Sequence, residues 1–277
     1  QLFPFKSLNN FFPDTGAVTV DLNDGTSYEA ALLVAADGRN SAGRRIAKIK
    51  DTNINYNQSS IVFTVSHEKP HKGTAYEQFT TGGPIAFLPM RGNQSSVVWS
   101  EDTEVVKSLM QLDDKDFAAA ASYRLNDCLG EMAIIGQRKI FPLKLNYADT
   151  IIADRFAMVG DAAHGLHPIA GQGFNLGLRD IANLTEEISK ARRLGLDIGS
   201  FEILRSYQAT RRLDNFSLVA ATDGLNRIFS NSNKIVRSIR SNGLDVINTI
   251  DPLKNLFMEL AMGEVGSLPV LLKGKLP

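Results

Sequence analysis

Cysteine is almost missing from this chain: Cys128 stands alone among 277 residues. A single thiol excludes an internal disulfide and any cysteine-built zinc or iron–sulfur site within the chain, and it fits a reducing compartment. Tryptophan is equally scarce, with Trp99 alone. No stretch approaches the roughly 18 uninterrupted apolar residues that a spanning helix needs. The N-terminus also lacks a basic region followed by an apolar one. The expectation is a cytoplasmic protein, at most peripheral to the inner membrane. Net charge is missing too, because 30 Lys and Arg balance 30 Asp and Glu, so no global field draws nucleic acid. No serine sits in a G-x-S-x-G elbow, which argues against a hydrolase of that type. What remains is apolar material, 43% of the residues, enough for one large domain or two smaller ones. The chain opens at Gln1 in what reads as mid-domain sequence, so further sequence upstream is expected.

Alternation over Ala17 to Leu22, a turn at Asp24-Gly25 and a second run from Thr26 to Ala30 predict a β-hairpin. Leu32 to Ala36 reads as a continuous apolar strand ending at Asp37-Gly38, with Ser41 placed to cap a short helix through Lys48. Strand, turn and helix in that order imply an α/β sheet. From about Ser59 to Ser100 the pattern changes to four β-rich runs: Ile61 to Ser66, Ala75 to Thr80, Ile85 to Pro89 and Ser96 to Ser100. Turn residues separate them, so an inserted antiparallel sheet is the economical reading. Helices follow near Thr103 to Gln111 and Asp114 to Leu125, then a long strand from about Met132 to Leu143. Phe156 to Val159 is a short buried strand, and after a glycine-rich loop a helix runs from about Gly173 to Arg193. Further helices are expected over roughly Ser200 to Arg227, Asn233 to Asn248 and Pro252 to Met262. The expected organisation is 1–55 and 146–195 in one α/β domain, 56–145 as the β-rich insert, and 196–277 as a C-terminal helical region.

The chemistry concentrates in Gly160-Asp161-Ala162-Ala163-His164 and the following His167-Pro168-Ile169-Ala170-Gly171-Gln172-Gly173-Phe174-Asn175, with Asp180 beyond. This segment lies between a buried strand and a long helix, where open α/β sheets bind ligands. Gly160, Ala162 and Ala163 are small enough for the backbone to approach a flat ligand, and Asp161 offers a carboxylate to a ligand hydroxyl. Gly171, Gln172 and Gly173 fall at the helix start, where N–H groups lack partners within the helix and suit an anion or an electron-rich ring edge. Read without its neighbours, a G-x-G here is an ordinary tight turn into a helix.

The string from His167 to Asp180 matches H-P-I-A-G-Q-G-x-N-x-G-x-x-D at every position. In this it resembles the ubiquinone-biosynthesis FAD-dependent aromatic hydroxylases of the UbiH/UbiF/VisC type, among the group A flavoprotein monooxygenases. A second element, Asp37-Gly38-Arg39-Asn40-Ser41-Ala42-Gly43-Arg44, is similar to the D-G-x-x-S-x-x-R segment of the wider superfamily. The likeness extends through Tyr76-Glu77-Gln78-Phe79, Gly83 to Pro89, Val98-Trp99, Phe141-Pro142-Leu143 and Pro252-Leu253-Lys254. It implies a Rossmann-like FAD/NAD(P)-binding domain with an inserted substrate sheet. It further implies hydroxylation of a polyprenylated phenol through a flavin C4a-hydroperoxide, with NAD(P)H as reductant.

By matching positions, Asp161 is expected to bind ribityl hydroxyls, and Pro168 with the backbone of Gly171 to Gly173 to border the isoalloxazine ring. Asn175, Asp37 and Arg39 complete the expected cofactor set. Phe87 and Pro89, on an apolar strand where the family has its substrate sheet, are the expected substrate contacts, although core packing is their ordinary role. The family's N-terminal G-x-G-x-x-G segment is absent from this chain. No side-chain nucleophile, acid or base is implied, because the flavin carries the oxidation.

Other features of the chain admit further readings. Asp161, His164 and His167 are spaced for a metal site on a helix, but Gly165 and Pro168 make a helix there unfavourable, so no metal is expected and the histidines read as loop-packing residues. His67 and His71 read as exposed. Trp99 reads as sheet packing rather than as half of the W-x-W element of flavin halogenases. Arg227, Lys234, Arg237 and Arg240 among Leu225, Ile228, Phe229, Ile235, Val236 and Ile239 form either a solvated helix face or a basic amphipathic surface for a membrane or a biosynthetic protein complex. The remaining alternatives are a non-catalytic scaffold of the same fold and a same-fold flavin reductase.

Overall fold

A computed structural model of the chain describes residues 1–80, 82–165, 173–212, 249, 251, 252, 255 and 268–277. The chain divides into two units: Gln1–Ile54 with Lys144–Thr222 and Ile250–Pro277, and Asn55–Leu143 with Asp223–Thr249.

In the first unit, β1 (Leu8–Pro13), β2 (Val18–Leu22) and β3 (Ser27–Ala30) form an antiparallel sheet in that order. The hairpin of β2 and β3 turns at the expected Asp24-Gly25. Strand β4 (Leu33–Ala35) leads to the short helix α1 (Ala42–Ile46). Ser41 caps α1 as its spacing predicts, its hydroxyl accepting from the Arg44 N–H at 3.0 Å. A side chain at Gly43 would bring its Cβ to 2.9 Å from the Ala35 Cβ and 3.0 Å from the Phe156 ring, so only glycine lets α1 lie this close to the sheet.

Strand β5 (Asp51–His67) starts in the first unit and continues into the second. There it pairs with β8 (Gln94–Asp102), which pairs with β7 (Pro84–Pro89), which pairs with β6 (Tyr76–Phe79), all antiparallel. Helices α2 (Thr103–Leu109) and α3 (Asp114–Arg124) follow, capped by Asp102 and Asp113. Strand β9 (Met132–Ala148) then leads back to the first unit.

The core of the second unit joins one face of this sheet, with Ile61, Phe63, Val65, Ile85, Phe87, Val97 and Trp99, to Val106, Phe117, Ala121, Leu125 and Leu129. Trp99 packs there as expected, with the Arg124 guanidinium 5.6 Å from its ring centre. His67 is not exposed as expected. It is 5% exposed, on the core-facing set of β5, with Nδ1 bonded to the Lys69 carbonyl and Nε2 to the Ser95 hydroxyl.

Back in the first unit, β10 (Ile152–Ala153) pairs antiparallel with β11 (Phe156–Met158), and β11 pairs parallel with β4 in the register Met158 to Ala35. A 3₁₀ turn at Gly160–Ala162 leads to β12 (His164–Gly165), which pairs with Tyr147 and Asn146 of β9. Helix α4 is described over Gly173–Arg193 and ends where the sequence predicts, and a helix over 201–212 follows. The core here includes Phe11, Val18, Ala35, Phe156, Met158, Leu184, Leu204 and Tyr207. Phe11 and Phe156 stack with ring centres 5.0 Å apart. The later helices expected over 233–248 and 252–262 lie, all but isolated positions, outside the described residues, as does the basic apolar run from Leu225 to Arg240.

Candidate functional site

Strands β4 and β11 run parallel and side by side, so the loops leaving their carboxyl ends start together. One loop carries Asp37 to Arg44 and the other carries Gly160 to His164. The register that places Val159 N–H on the Ala35 carbonyl at 3.0 Å therefore brings the two sequence motifs into one site.

Three side chains of the first motif organise it. The Asp37 carboxylate accepts from the Gly43 N–H at 3.1 Å. Burial pushes the Asp37 carboxyl up, but hydrogen bonds from the Ser41 hydroxyl and the surrounding backbone N–H groups outweigh it and hold the group below its ordinary range. Arg44, 6% exposed, donates to the Ala162 carbonyl at 2.8 Å and to the Arg39 carbonyl at 2.7 Å, and pairs with Asp51 at 3.2 Å. Arg44 thus fastens one motif to the other. Arg39 is more open. Its Nε meets the Asp161 carboxylate at 3.0 Å and its Nη1 the Lys144 carbonyl at 3.2 Å. The Arg39 and Asp161 side chains remain 38% and 41% exposed, so this pair faces solvent and can accept a ligand.

Beneath this open pair lies a closed ionic cluster. Asp180, on the second turn of α4, is wholly buried. One carboxylate oxygen accepts from the Gly160 N–H at 2.9 Å and from His164 Nε2 at 2.6 Å, and the other accepts from Arg211 Nε at 2.7 Å. Burial alone would raise the Asp180 carboxyl, but His164 and Arg211 together hold it below the ordinary range. Tyr207, buried beside them, donates to the Met158 carbonyl at 2.8 Å. Its phenol is pushed well above 10, first by burial and then by the Asp180 charge. Gly160 adopts φ +61°, which a residue with a Cβ rarely does. A Cβ on Gly177 would lie 3.3 Å from the Gly160 Cα, so turn and helix meet backbone to backbone.

The long signature therefore divides by task. Its distal part, Gly177 and Asp180, is a latch that fixes the 160–164 turn against α4. The turn in turn presents the Asp161 carboxylate. Gly173 opens α4, and Asn175 is exposed in its first turn. Pro168, Gly171 and Gln172, expected beside a flavin ring, lie outside the described residues, as does His167. His164, expected as loop packing, is a buried partner of Asp180. The contribution of Arg211 has no signal in the sequence, since it lies 31 positions beyond Asp180 on another helix.

Phe87, expected as a substrate contact, lies in the packing position that is also its ordinary role. Phe87 has no solvent exposure and belongs to the core of the second unit, because alternation on β7 turns Ile85 and Phe87 toward the buried face. The opposite face of β7 presents Ala86 and Leu88, the latter 44% exposed. Pro89, at the strand end, is partly exposed.

The arrangement fits part of a flavin nucleotide. A half-exposed carboxylate stands at the carboxyl end of a parallel pair, on a turn whose glycine and alanines keep bulk away.

Comparison with known proteins agrees with this geometry. The family described as FAD binding domain matches residues 6–221. Ubiquinone hydroxylase UbiL of Rhodospirillum rubrum is 45% identical over 250 residues, covering 90% of this chain and 58% of that protein. The mitochondrial ubiquinone biosynthesis monooxygenase COQ6 of Homo sapiens is 34% identical, with 88% of this chain and 59% of that protein covered. The chain thus spans under two thirds of the length of these relatives. Among solved structures, Pseudomonas aeruginosa PqsL in complex with 2-aminobenzoylacetate superposes with a TM-score of 0.72 at 25% identity, over 82% of this chain and 64% of that one. The p-nitrophenol 4-monooxygenase PnpA of Pseudomonas putida shares the fold, with a TM-score of 0.72 at 17% identity, over 92% of this chain and 65% of that one. With the family matched over residues 6–221 and both of its motifs joined in one site, the chain belongs to the FAD binding domain family.

Proposed function

We propose that this chain is the flavin-facing and substrate-facing portion of an FAD-dependent monooxygenase that hydroxylates the ring of a polyprenylated phenol in ubiquinone biosynthesis. The observation that carries this reading is the half-exposed Asp161 carboxylate, at the meeting point of two family motifs that the buried Arg44 and Asp180 fasten together. The likeness to UbiL and COQ6 supports the substrate class.

In this reading Asp161 accepts hydrogen bonds from the ribityl hydroxyls, with Arg39 turning aside or bridging to the ligand. Pro168 and the N–H groups of Gly171, Gln172 and Gly173 border the ring system, while Asn175 and Asp37 line its approach. Bound FAD, reduced by NAD(P)H, supplies the activation of oxygen and the transfer of one oxygen atom. The protein orients the two reactants and keeps water out. Arg44 and Asp180 fix the turn so that the carboxylate is already in place when the cofactor arrives, which lowers the ordering cost of binding. Among the described residues no helix is long and apolar enough to cross a membrane. A prenylated substrate is reached by peripheral contact with the membrane, or within a complex of biosynthetic proteins.

The test is turnover of the full-length protein with FAD, NAD(P)H, isotopically labelled oxygen gas and a short-chain polyprenyl phenol. A product carrying one labelled oxygen on the ring is expected. Saturation of the prenyl chain, or a protein that holds no flavin, would contradict the proposal.

A further inference from the structure

The face of the second unit's sheet opposite its core has an unusual composition. Cross-strand partners share a face, so Val62, Val98, Ala86 and Glu77 form one row across β5, β8, β7 and β6. Thr64, Ser96 and Leu88 form the next row. Beyond the first row, the Ser60 and Ser100 hydroxyls bond to each other at 2.7 Å. Small aliphatic side chains thus make a floor, exposed Leu88 borders it, and a carboxylate stands at the edge strand. From the Ser60–Ser100 pair to the Ser66–Gln94 pair, Glu77 is the one ionisable side chain that these strands place on this face, among the described residues.

Glu77 has no hydrogen-bond or ion-pair partner among the described residues. Two carboxylates of this unit do have such partners: Glu101 pairs with Arg124 at 3.1 Å and Asp114 with Arg138 at 3.3 Å. The Glu77 side chain is exposed, yet the neighbouring protein still pushes its carboxyl above the ordinary range by desolvation, and no described group opposes the shift. A carboxylate in that condition gains from any ligand that brings a hydrogen-bond donor. The floor beside it accepts a flat apolar body. The chemical class that satisfies both is an aromatic ring bearing a hydroxyl.

We propose that Glu77 is the acceptor that orients the substrate on this face, taking a hydrogen bond from the phenolic hydroxyl while the ring lies over Ala86 and Val98. This rests on the proposed monooxygenase reading and adds the residue that reads the hydroxyl. The bond fixes which edge of the ring is presented. By drawing the hydroxyl proton toward the carboxylate, it also raises electron density at the ring carbons ortho and para to the oxygen, the positions that an electrophilic oxygen attacks.

The experiment compares dissociation constants of one short-prenyl phenol and its O-methyl ether, followed by perturbation of the flavin absorbance. It uses the full-length FAD-loaded protein and its Glu77→Ala and Glu77→Gln variants. The parent protein is expected to bind the phenol about tenfold or more tightly than the ether, as one hydrogen bond to a charged acceptor allows. Glu77→Ala should bind the two alike, and Glu77→Gln, which keeps a neutral acceptor, should fall between. A merely structural role would weaken both ligands and leave their ratio unchanged. A parental ratio in Glu77→Ala would overturn the assignment while leaving the monooxygenase reading intact. If Glu77→Ala fails to retain FAD, the ratio in Glu77→Gln decides in the same way. A parent protein that holds FAD and binds neither ligand would overturn both proposals.

Discussion

The 160–164 turn and the open face of the β6–β8 sheet present functional side chains in opposite ways. The turn is held by a dense polar scaffold, in which Arg44 grips two carbonyls and Asp180 collects an N–H, an imidazole and a guanidinium. Among the described residues the sheet face has no comparable network beyond the Ser60–Ser100 bond, and it is backed by the apolar core on its other side. A ligand as large as a dinucleotide needs loops at strand ends, and loops lack the sheet's own hydrogen bonding, so buried charge substitutes for it. A small ring can lie on a strand surface that the core already fixes.

If that contrast is right, substitutions in the latch will show first as lost stability. The largest effect is expected from Asp180→Ala, which removes the carboxylate that the buried Arg211 Nε, His164 and the Gly160 N–H all bond to. About 3–5 kcal/mol of unfolding free energy should disappear, measured by denaturant unfolding of the full-length apoprotein. Arg44→Ala comes next. It orphans the Ala162 and Arg39 carbonyls, and about 2–3 kcal/mol is expected by the same measurement. Gly177→Ala forces a Cβ to within 3.3 Å of the Gly160 backbone. About 1 kcal/mol is expected, together with a rise in FAD dissociation as the turn is pushed outward.

A pH titration sharpens the same comparison. The folded-state pKa of Asp180 is depressed, so its stabilising contribution is present above the ordinary carboxylate pKa of about 3.9 and is lost as pH falls through the lower folded value. Tyr207 is the mirror case. Its folded pKa is raised, so its contribution is present below pH of about 10 and is lost as pH rises through the folded value. Unfolding curves of Asp180→Asn should lack the acid component that the parent shows, while the alkaline component contributed by Tyr207 should remain, reduced by the loss of the neighbouring charge.

Much of this was legible in the sequence. The hairpin at Asp24-Gly25, the cap at Ser41, the antiparallel insert and the end of α4 followed from turn residues, capping and sequence pattern. Strand β1 carries no strand signal in the sequence, because Leu8–Pro13 mixes two asparagines with two adjacent phenylalanines and does not alternate. The first half of β5 is equally silent, because Asp51 to Ser60 is largely polar and its side chains carry no apolar pattern although the backbone is a strand. At the site, the motifs marked where ligand chemistry lies, but motif matching cannot separate a residue that touches a ligand from one that holds the loop. Asp180 and Gly177 belong to the second kind, and only the contacts to Gly160 reveal it. Phe87 shows the converse limit: alternation shows that Ile85 and Phe87 share a face, but not which face a helix covers. Here α3 covers theirs, with Phe117 in the same core.

The central claim is that Asp161 is free for the cofactor because other groups hold the turn. The direct measurement is the FAD dissociation constant of full-length Asp161→Asn beside the unfolding free energy of its apoprotein. Among the described residues Asp161 has only the exposed Arg39 pair to lose, worth about 0–1 kcal/mol, so stability should stay near the parent value while FAD binds at least about tenfold more weakly. Parental FAD affinity, or a loss of stability as large as that of Asp180→Ala, would contradict the account.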